Sequence, residues 1–483
     1  MENENNNNEN HLENTKTFTK NVAMVLISNI LSIITGVLVG FVVPRVLGVT
    51  DYGYYKTFTL YVSYIGLFHF GFVDGVYLYF AGQKSLDKEK FRTLSKFLIM
   101  FQFIITAIIT IIAMFFVGNE LCLIIFLVAL DVLACNVTSY YEFISQITMR
   151  FKMVSLRGII RSILTVLSVI VLYIIYKYCN SKISYYIYAI IVISINYILA
   201  IWYIITYRDI TFGKSKSFKE EKKYILFFFK LGFPLLISNL VAQLIFVVDQ
   251  QIVNIFFDTD TYSTYAFAYT MINLITVATS AISVVIYPTL RTMNEEKIKN
   301  NYSIINSLLL IFVSACLICY FLLVPFVNHF LPEYSLSLVT FRIILPGVLV
   351  SSSIQVIKYN CYKTFGMINN YLYKSLFILL NAIIVDLIVY YVVGTTNIIS
   401  IVSIFVLIIW YLLVEITMAK KFKIKWIKNF IYVIVSIAMF YLTTFIPNIW
   451  IGFFAYIGVF LLETILIFNK DLVSIVKFVF KNK

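Results

Sequence analysis

Polar and apolar residues alternate along this chain in long blocks, not within them. Apolar runs follow one another from residue 21 nearly to the end, separated by short polar gaps. A helix needs roughly 20 mostly apolar residues to cross a bilayer. Fourteen segments meet that need, at 21–44, 58–80, 94–116, 121–149, 159–176, 184–206, 227–256, 266–290, 304–330, 338–362, 369–393, 398–418, 428–446 and 449–468. The runs are long and none shows the dyad alternation of a barrel strand, so each is expected to be helical. The pattern predicts an all-α polytopic membrane protein of about 14 transmembrane helices. Composition agrees: 61% of the 483 residues are hydrophobic and 13% charged, which excludes a soluble globular chain.

Charge then sets orientation. The formal charge is +14, and 33 of the 38 Lys and Arg fall in every second gap. By the positive-inside bias those gaps are cytoplasmic, which predicts a multi-pass protein of the inner (plasma) membrane with both termini cytoplasmic. Only Arg45, Lys56, Lys177, Lys182 and Arg342 are left on the outer side. The basic loops are too short to form a nucleic-acid-binding domain, so no nucleic-acid partner is expected.

Residues 1–20 are polar and Asn-rich and read as a cytoplasmic tail, expected to be disordered over 1–15 and to carry no cleavable signal, which makes the first span an expected uncleaved anchor. A charged linker at 207–226 divides the chain. Leu26-Ile27-Ser28-Asn29 in the first span is echoed by Leu236-Ile237-Ser238-Asn239 in the seventh. Thr50-Asp51-Tyr52-Gly53-Tyr54-Tyr55 is echoed by Thr259 to Tyr265 at nearly the same offset. Six spans separate the copies, so the halves face the same way, as in parallel transporter repeats with a cavity between bundles. The predicted organisation is a six-helix bundle at 21–206, a pseudo-symmetric one at 227–418, and two extra helices with a tail at 419–483.

No catalytic apparatus is visible. Gly213-Lys214-Ser215 lacks the upstream glycine and the strand of a phosphate loop. The three histidines (His11, His69, His329) are scattered, so no metal site is expected. His69 is read as bonding a neighbour, its spacing of five from Asp74 placing the two on different helix faces. Cys316 and Cys319 lie in an apolar span and read as structural, and the sequons at Asn136 and Asn301 read as chance. No cofactor is implied.

The signal lies in ionisable groups inside spans, since a charge facing lipid at mid-depth costs at least ~2.5 kcal/mol. The acids are Asp74, Asp131, Glu142, Asp249, Asp386, Glu415 and Glu463. Glu415 and Glu463 read as helix-end snorkelling or structural pairing; for Asp74, Asp131 and Asp249 ion coupling and structural pairing both stand. In the seventh span Ser238 and Asp249 share one stripe and Asn239, Gln243 and Gln250 the next, a broad polar face that must turn toward protein or a water-filled cavity. Ser28, Ser32 and Thr35 give the first span a shorter one.

Arg45, Arg342, Lys358, Lys363 and Lys374 lie near or within spans. Arg and Lys both bind phosphate, Arg bidentately, which suits an anionic substrate; for the three lysines the positive-inside bias is an equal explanation. Pro346-Gly347 should break the tenth span, whereas Pro44 and Pro234 are placed near helix ends, where proline is tolerated. The 36 Tyr and 44 Phe fit interfacial belts or sugar stacking, and equally A/T-rich coding.

Two regions of the chain resemble a known family. Pro44-Arg45-Val46-Leu47-Gly48, with Asp51 to Tyr55 and Gly71-Phe72-Val73-Asp74-Gly75, resembles the start of the polysaccharide-flippase branch of the multidrug/oligosaccharidyl-lipid/polysaccharide exporter superfamily. Val248-Asp249-Gln250-Gln251-Ile252-Val253, followed by Tyr262 to Tyr269, resembles its seventh-to-eighth span junction, with Gln250 standing where a basic residue is common. The resemblance implies two six-helix bundles around a central cavity. It also implies movement of undecaprenyl-pyrophosphate-linked oligosaccharide to the outer leaflet, for O-antigen, capsule or related glycans. The partners it implies are the lipid-linked oligosaccharide, a proton or sodium ion, and other glycan-assembly proteins. A cation-coupled multidrug exporter of the same superfamily is the alternative, and a membrane glycan polymerase or ligase a third reading, disfavoured by the short outer gaps.

Overall fold

The structure is a computed structural model. It describes residues 24, 27–81, 86–116, 119–148, 150–179, 182–292 and 294–480. The tail at 1–20, with Lys16, Lys20 and His11, lies outside them, as do Lys84, Lys481 and Lys483. Among the described residues there are helices and no strands.

Along the first unit (Met1–Leu240) run α1 (Ile27–Leu47), α2 (Val49–Val62), a 3-10 turn (Ile65–His69), α3 (Phe72–Phe80), α4 (Lys88–Phe116), α5 (Asn119–Ile147), α6 (Phe151–Cys179), α7 (Tyr185–Thr206), α8 (Arg208–Thr211) and the first half of α9 (Phe218–Phe256). The second unit (Val241–Lys483) continues α9, then α10 (Thr259–Thr292), α11 (Glu295–Cys316), α12 (Cys319–Phe330), α13 (Ser337–Ile344), α14 (Gly347–Ser352), a π-helical turn (Ser353–Lys358), α15 (Tyr359–Thr364), α16 (Ile368–Val392), α17 (Thr396–Phe422), α18 (Ile427–Thr444) and α19 (Ile449–Phe480).

Eleven helices among the described residues are long and apolar enough to cross a membrane, twelve if α13 to α15 form one bent span. The remaining two expected spans are also helical. The segment 266–290 lies within α10, and 58–80 is divided between α2, the 3-10 turn and α3. The span read at 58–80 is interrupted for a backbone reason. Phe70 (φ 50°) and Gly71 (φ 82°) are both left-handed, which ends one helix and re-aims the next. In the tenth span the expected break occurs at Pro346, with a 47° bend.

Pro234 is a correction. It stands well inside α9, which begins at Phe218, so it removes a backbone donor from a helix interior. The compact units divide at Leu240, inside α9, and not in the 207–226 segment. That segment is tied to α4: Arg92 Nε donates to the Asp209 carbonyl (2.8 Å), Lys96 Nζ to that of Gly213 (2.9 Å), and the Lys216 amide to Thr93 Oγ1 (2.9 Å).

In the first unit α5 is central. Its apolar window is 56% buried, against 17% for α4 and α6, which present more surface for lipid. Where α3 meets α9 the backbones nearly touch. A Cβ on Gly75 would lie 2.0 Å from the Phe228 carbonyl oxygen, and one on Gly232 would lie 1.9 Å from that of Gly71. Only glycine permits this close packing, the small-residue device of membrane helices. In the second unit the two last helices join α11 through Ser307 Oγ to Asn429 Oδ1 (2.9 Å) and Tyr456 hydroxyl to the Ser314 carbonyl (2.6 Å), and join each other through Ser436 Oγ to Glu463 Oε1 (2.7 Å). Glu463 is therefore buried in a seam, a pairing role and not a snorkelling one. Cys316 and Cys319 flank the α11–α12 break as free thiols.

Candidate functional site

Asp249, in the second half of α9, is 2% exposed. Its Oδ2 accepts hydrogen bonds from Tyr265 (2.7 Å) and Tyr269 of α10, and its Oδ1 from the Gln250 amide (2.7 Å). Ser400 of α17 donates to the Tyr265 hydroxyl (3.3 Å). Asp386, one helix earlier on α16, is equally buried, within electrostatic reach of Asp249, and its Oδ1 has no hydrogen-bond partner. Three donors stabilise a charge on Asp249; none is aimed at that oxygen of Asp386. Two carboxyls so placed favour holding one proton or one cation between them.

Lys358 does not present its charge to a cavity. It is 0% exposed, its ammonium 2.9 Å from Glu415 Oε2 on α17, and it donates to Ser353 Oγ (2.6 Å) at the other end of the π turn. Tyr302 donates to the same Glu415 oxygen (2.8 Å), and the Tyr411 ring lies under the ammonium at 4.0 Å. The lysine and glutamate, 57 positions apart in sequence, neutralise each other, and Glu415 is a buried ion-pair partner.

Lys363 and Lys374 flank a tyrosine group. Lys363 lies 4.4 Å from the Tyr359 ring centroid and Lys374 6.0 Å from that of Tyr362, while Tyr371 packs against both tyrosines. Lys374 also donates to Thr417 Oγ1 and has Lys420 within electrostatic reach. Arg342, half-buried on α13, sits over the Phe445 ring at 4.9 Å, and Arg45 is exposed near the end of α1.

In the first unit Asp131 is satisfied: Asn196 Nδ2 donates to both carboxylate oxygens at 3.0 Å. Glu142 pairs with Arg157 at 2.9 Å. Asp74 differs. Its Oδ2 is buried without a hydrogen-bond partner, and His69 Nε2 is 3.7 Å away. The expectation that His69 and Asp74 occupy different faces is overturned, because the left-handed turn between them makes helix geometry inapplicable.

The polar face expected of the seventh span is mixed. Ser238 is buried and donates to the Pro234 carbonyl (2.7 Å), Asn239 is exposed, and Gln243 and Gln250 are half-buried. In the first span Ser32 and Thr35 bond their own helix, at the carbonyls of Ser28 and Leu31. Sequence reasoning did not foresee the tyrosines on Asp249 or the partners of Lys358. An Asp in mid-span is visible in a sequence; the hydroxyl a helix away is not.

A multi-pass helical chain in two compact units, with carboxylates buried at mid-span, has the build of a secondary transporter. Solved structures share that fold. One titled a lipid II flippase MurJ in an inward closed conformation has TM-score 0.67 at 18% identity, covering 94% of this chain and 99% of its own. An inward-facing multidrug resistance MATE family transporter of the MOP superfamily gives 0.61 at 15%, covering 83% and 99%. An outward-facing one gives 0.52 at 12%, covering 87% and 95%. No curated protein sequence matches. The model of the polysaccharide biosynthesis protein family matches residues 18–294, more than half of the chain, and the chain belongs to that family. It is a flippase-like transporter and not an enzyme.

Proposed function

We propose that this protein moves undecaprenyl-pyrophosphate-linked oligosaccharide repeat units across the inner (plasma) membrane, by ion-coupled alternating access, for O-antigen, capsule or related polysaccharide assembly. The family match, on a chain with a flippase-type fold, is the observation that carries this reading. Both termini are cytoplasmic in this reading, which places Lys363 and Lys374 inside and Arg45 and Arg342 outside. The two lysines, beside tyrosines able to stack on sugars, receive the pyrophosphate; the two arginines meet it on the far side. Lys358 serves instead as the buried partner of Glu415. Asp249, with Asp386, binds the coupling proton or sodium ion, Asp131 is held by Asn196 as a structural acid, and Ser238, Asn239, Gln243 and Gln250 supply the polar face of the transport path.

The decisive experiment is export in a strain whose chromosomal copy is deleted. Asp249→Asn should abolish surface glycan while the protein still reaches the membrane at normal abundance. Undiminished export would end the coupling role. The likeness to multidrug transporters supports the second reading, export of cationic drugs. It predicts that the deletion strain becomes drug-sensitive with its surface glycan intact.

A further inference from the structure

We propose that Asp74 and His69 form a proton-binding site in the first unit, at which loading or release of one proton on Asp74 Oδ2 moves the His69 ring and, with it, the Gly71 turn. Asp74 stands in the first turn of α3 and His69 ends the 3-10 turn before it; they are 4% and 6% exposed. The Gly71 amide donates to His69 Nδ1 (3.1 Å). A neutral ring with that nitrogen occupied as acceptor carries its hydrogen on Nε2, the nitrogen that faces Asp74 Oδ2 at 3.7 Å.

That separation, longer than a hydrogen bond, fits the loaded state. A carboxylate oxygen facing an N–H would draw it to about 2.8 Å. An oxygen that carries its own hydrogen meets the N–H hydrogen to hydrogen, and the two stand apart. On release the proton leaves Oδ2, the pair goes from neutral to a single negative charge, and Nε2–H becomes the donor to the new carboxylate. The ring must then move inward by nearly 1 Å.

The surroundings keep the proton exchangeable. Phe72, Val73, Val76 and Phe80 make the site apolar, which favours the loaded acid; the N-terminus of α3 favours the released carboxylate. No other charge intervenes among the described residues. From α4, Gln102 donates to the Phe68 carbonyl (3.1 Å), and from α5 Asn136 bonds Gln102 (2.8 Å) and the Ile65 carbonyl (3.3 Å), both neutral. The titratable groups of α5 are engaged elsewhere: Glu120 with Tyr185, Cys122 with the Ala113 carbonyl, Asp131 and Cys135 with Asn196, Tyr140 with Ser95, Tyr141 with Thr211, Glu142 with Arg157. The lysines of α4 turn to the 207–217 segment and to Tyr224, as in Lys88 to Asp209, Lys90 to the Tyr224 ring and Lys96 to Gly213. On the first half of α9, Glu221 pairs with Lys216, and Lys219, Lys222, Lys223 and Lys230 are exposed.

The turn that would move is mechanically connected. Gly71 donates to the histidine through its amide and packs through its carbonyl against Gly232 of α9. A shift of the ring therefore bears on α9 two residues before Pro234, where the helix lacks a hydrogen bond. The strained left-handed Phe70 beside it marks a segment held for more than packing.

This deepens the ion-coupled reading and rests on it only for a role in transport. The test uses full-length protein in lipid nanodiscs and infrared difference spectra across a pH titration. The wild type should show a protonated-carboxyl C=O band that disappears as pH rises, and Asp74→Asn, which mimics the loaded acid, should lack it. Asp249→Asn should retain it. His69→Phe keeps the ring but removes the donor, so the band should persist about one to two pH units higher. A band unchanged in Asp74→Asn, or a midpoint unchanged in His69→Phe, would overturn the site. A wild type that flips no glycan would overturn the transport reading alone, since the band reports the proton directly.

Discussion

The two units bury their carboxyls by different means. In the first, a neutral amide serves Asp131, and the Oδ2 of Asp74 faces only a histidine 3.7 Å away. In the second, two tyrosines and an amide surround Asp249, and a full ammonium meets Glu415. A buried acid that meets a lysine is neutralised and becomes a structural tie. One that meets only neutral hydroxyls and an amide has no counter-charge and is left able to take up a proton or a cation. Mid-span acids are therefore not equivalent, and the donor set separates coupling sites from fastenings.

The largest effect should come from breaking the ion pair. Glu415→Ala leaves Lys358 buried without a counter-charge and should lower stability by about 3–5 kcal/mol. Glu415→Leu combined with Lys358→Met should recover most of it, read by thermal unfolding in detergent. If the single variant is no less stable than the double, the pair is no fastening.

The first unit should be most sensitive at its helix crossing. Gly232→Ala drives a Cβ into the Gly71 carbonyl and should cost about 1–3 kcal/mol. Alanine at Gly458, which has no atoms within 4 Å of its added Cβ, should be neutral in the same assay. A loss of similar size, about 1–3 kcal/mol, is expected of Asn196→Ala, which strips both bonds from Asp131; Asp131→Asn should leave glycan export intact, in contrast to Asp249→Asn.

The smallest concerns the α9–α10 junction. There Thr261 donates from its amide (2.9 Å) and hydroxyl (2.7 Å) to Asp258, and these bonds hold its carboxyl below the usual range. Asp258→Ala should remove about 1 kcal/mol of helix capping. Because the folded state favours the carboxylate, that stability is present at neutral pH and is lost as pH falls through the folded-state value, so wild type and variant should converge in acid.

The helical segments were legible because a bilayer demands long apolar runs, and each of the fourteen corresponds to helix in the structure. The bend at Pro346 was legible because proline lacks a donor. The break at Phe70–Gly71 was not, since one glycine in an apolar run changes no periodicity. With that break unseen, the five-residue spacing of His69 and Asp74 was measured on a helix that does not exist. Lys358 was legible as a cation in a span but not as half of a pair, because Glu415 reaches it only through tertiary packing. The 207–226 segment looked like a divider by its charge, yet Arg92, Lys96 and Thr93 bind it to the first unit.

The seam between α11 and the last two helices bears on how the chain is made. Ser307 and Ser314 are inserted more than a hundred residues before Asn429, Ser436 and Tyr456 leave the ribosome. Until then α11 presents a hydroxyl-bearing flank to lipid, and Ser314 has only its own helix to satisfy it. The C-terminal pair thus works as a late-arriving clasp. Shortening the gene by those two helices would leave an exposed polar strip, a recognisable mark for membrane quality control.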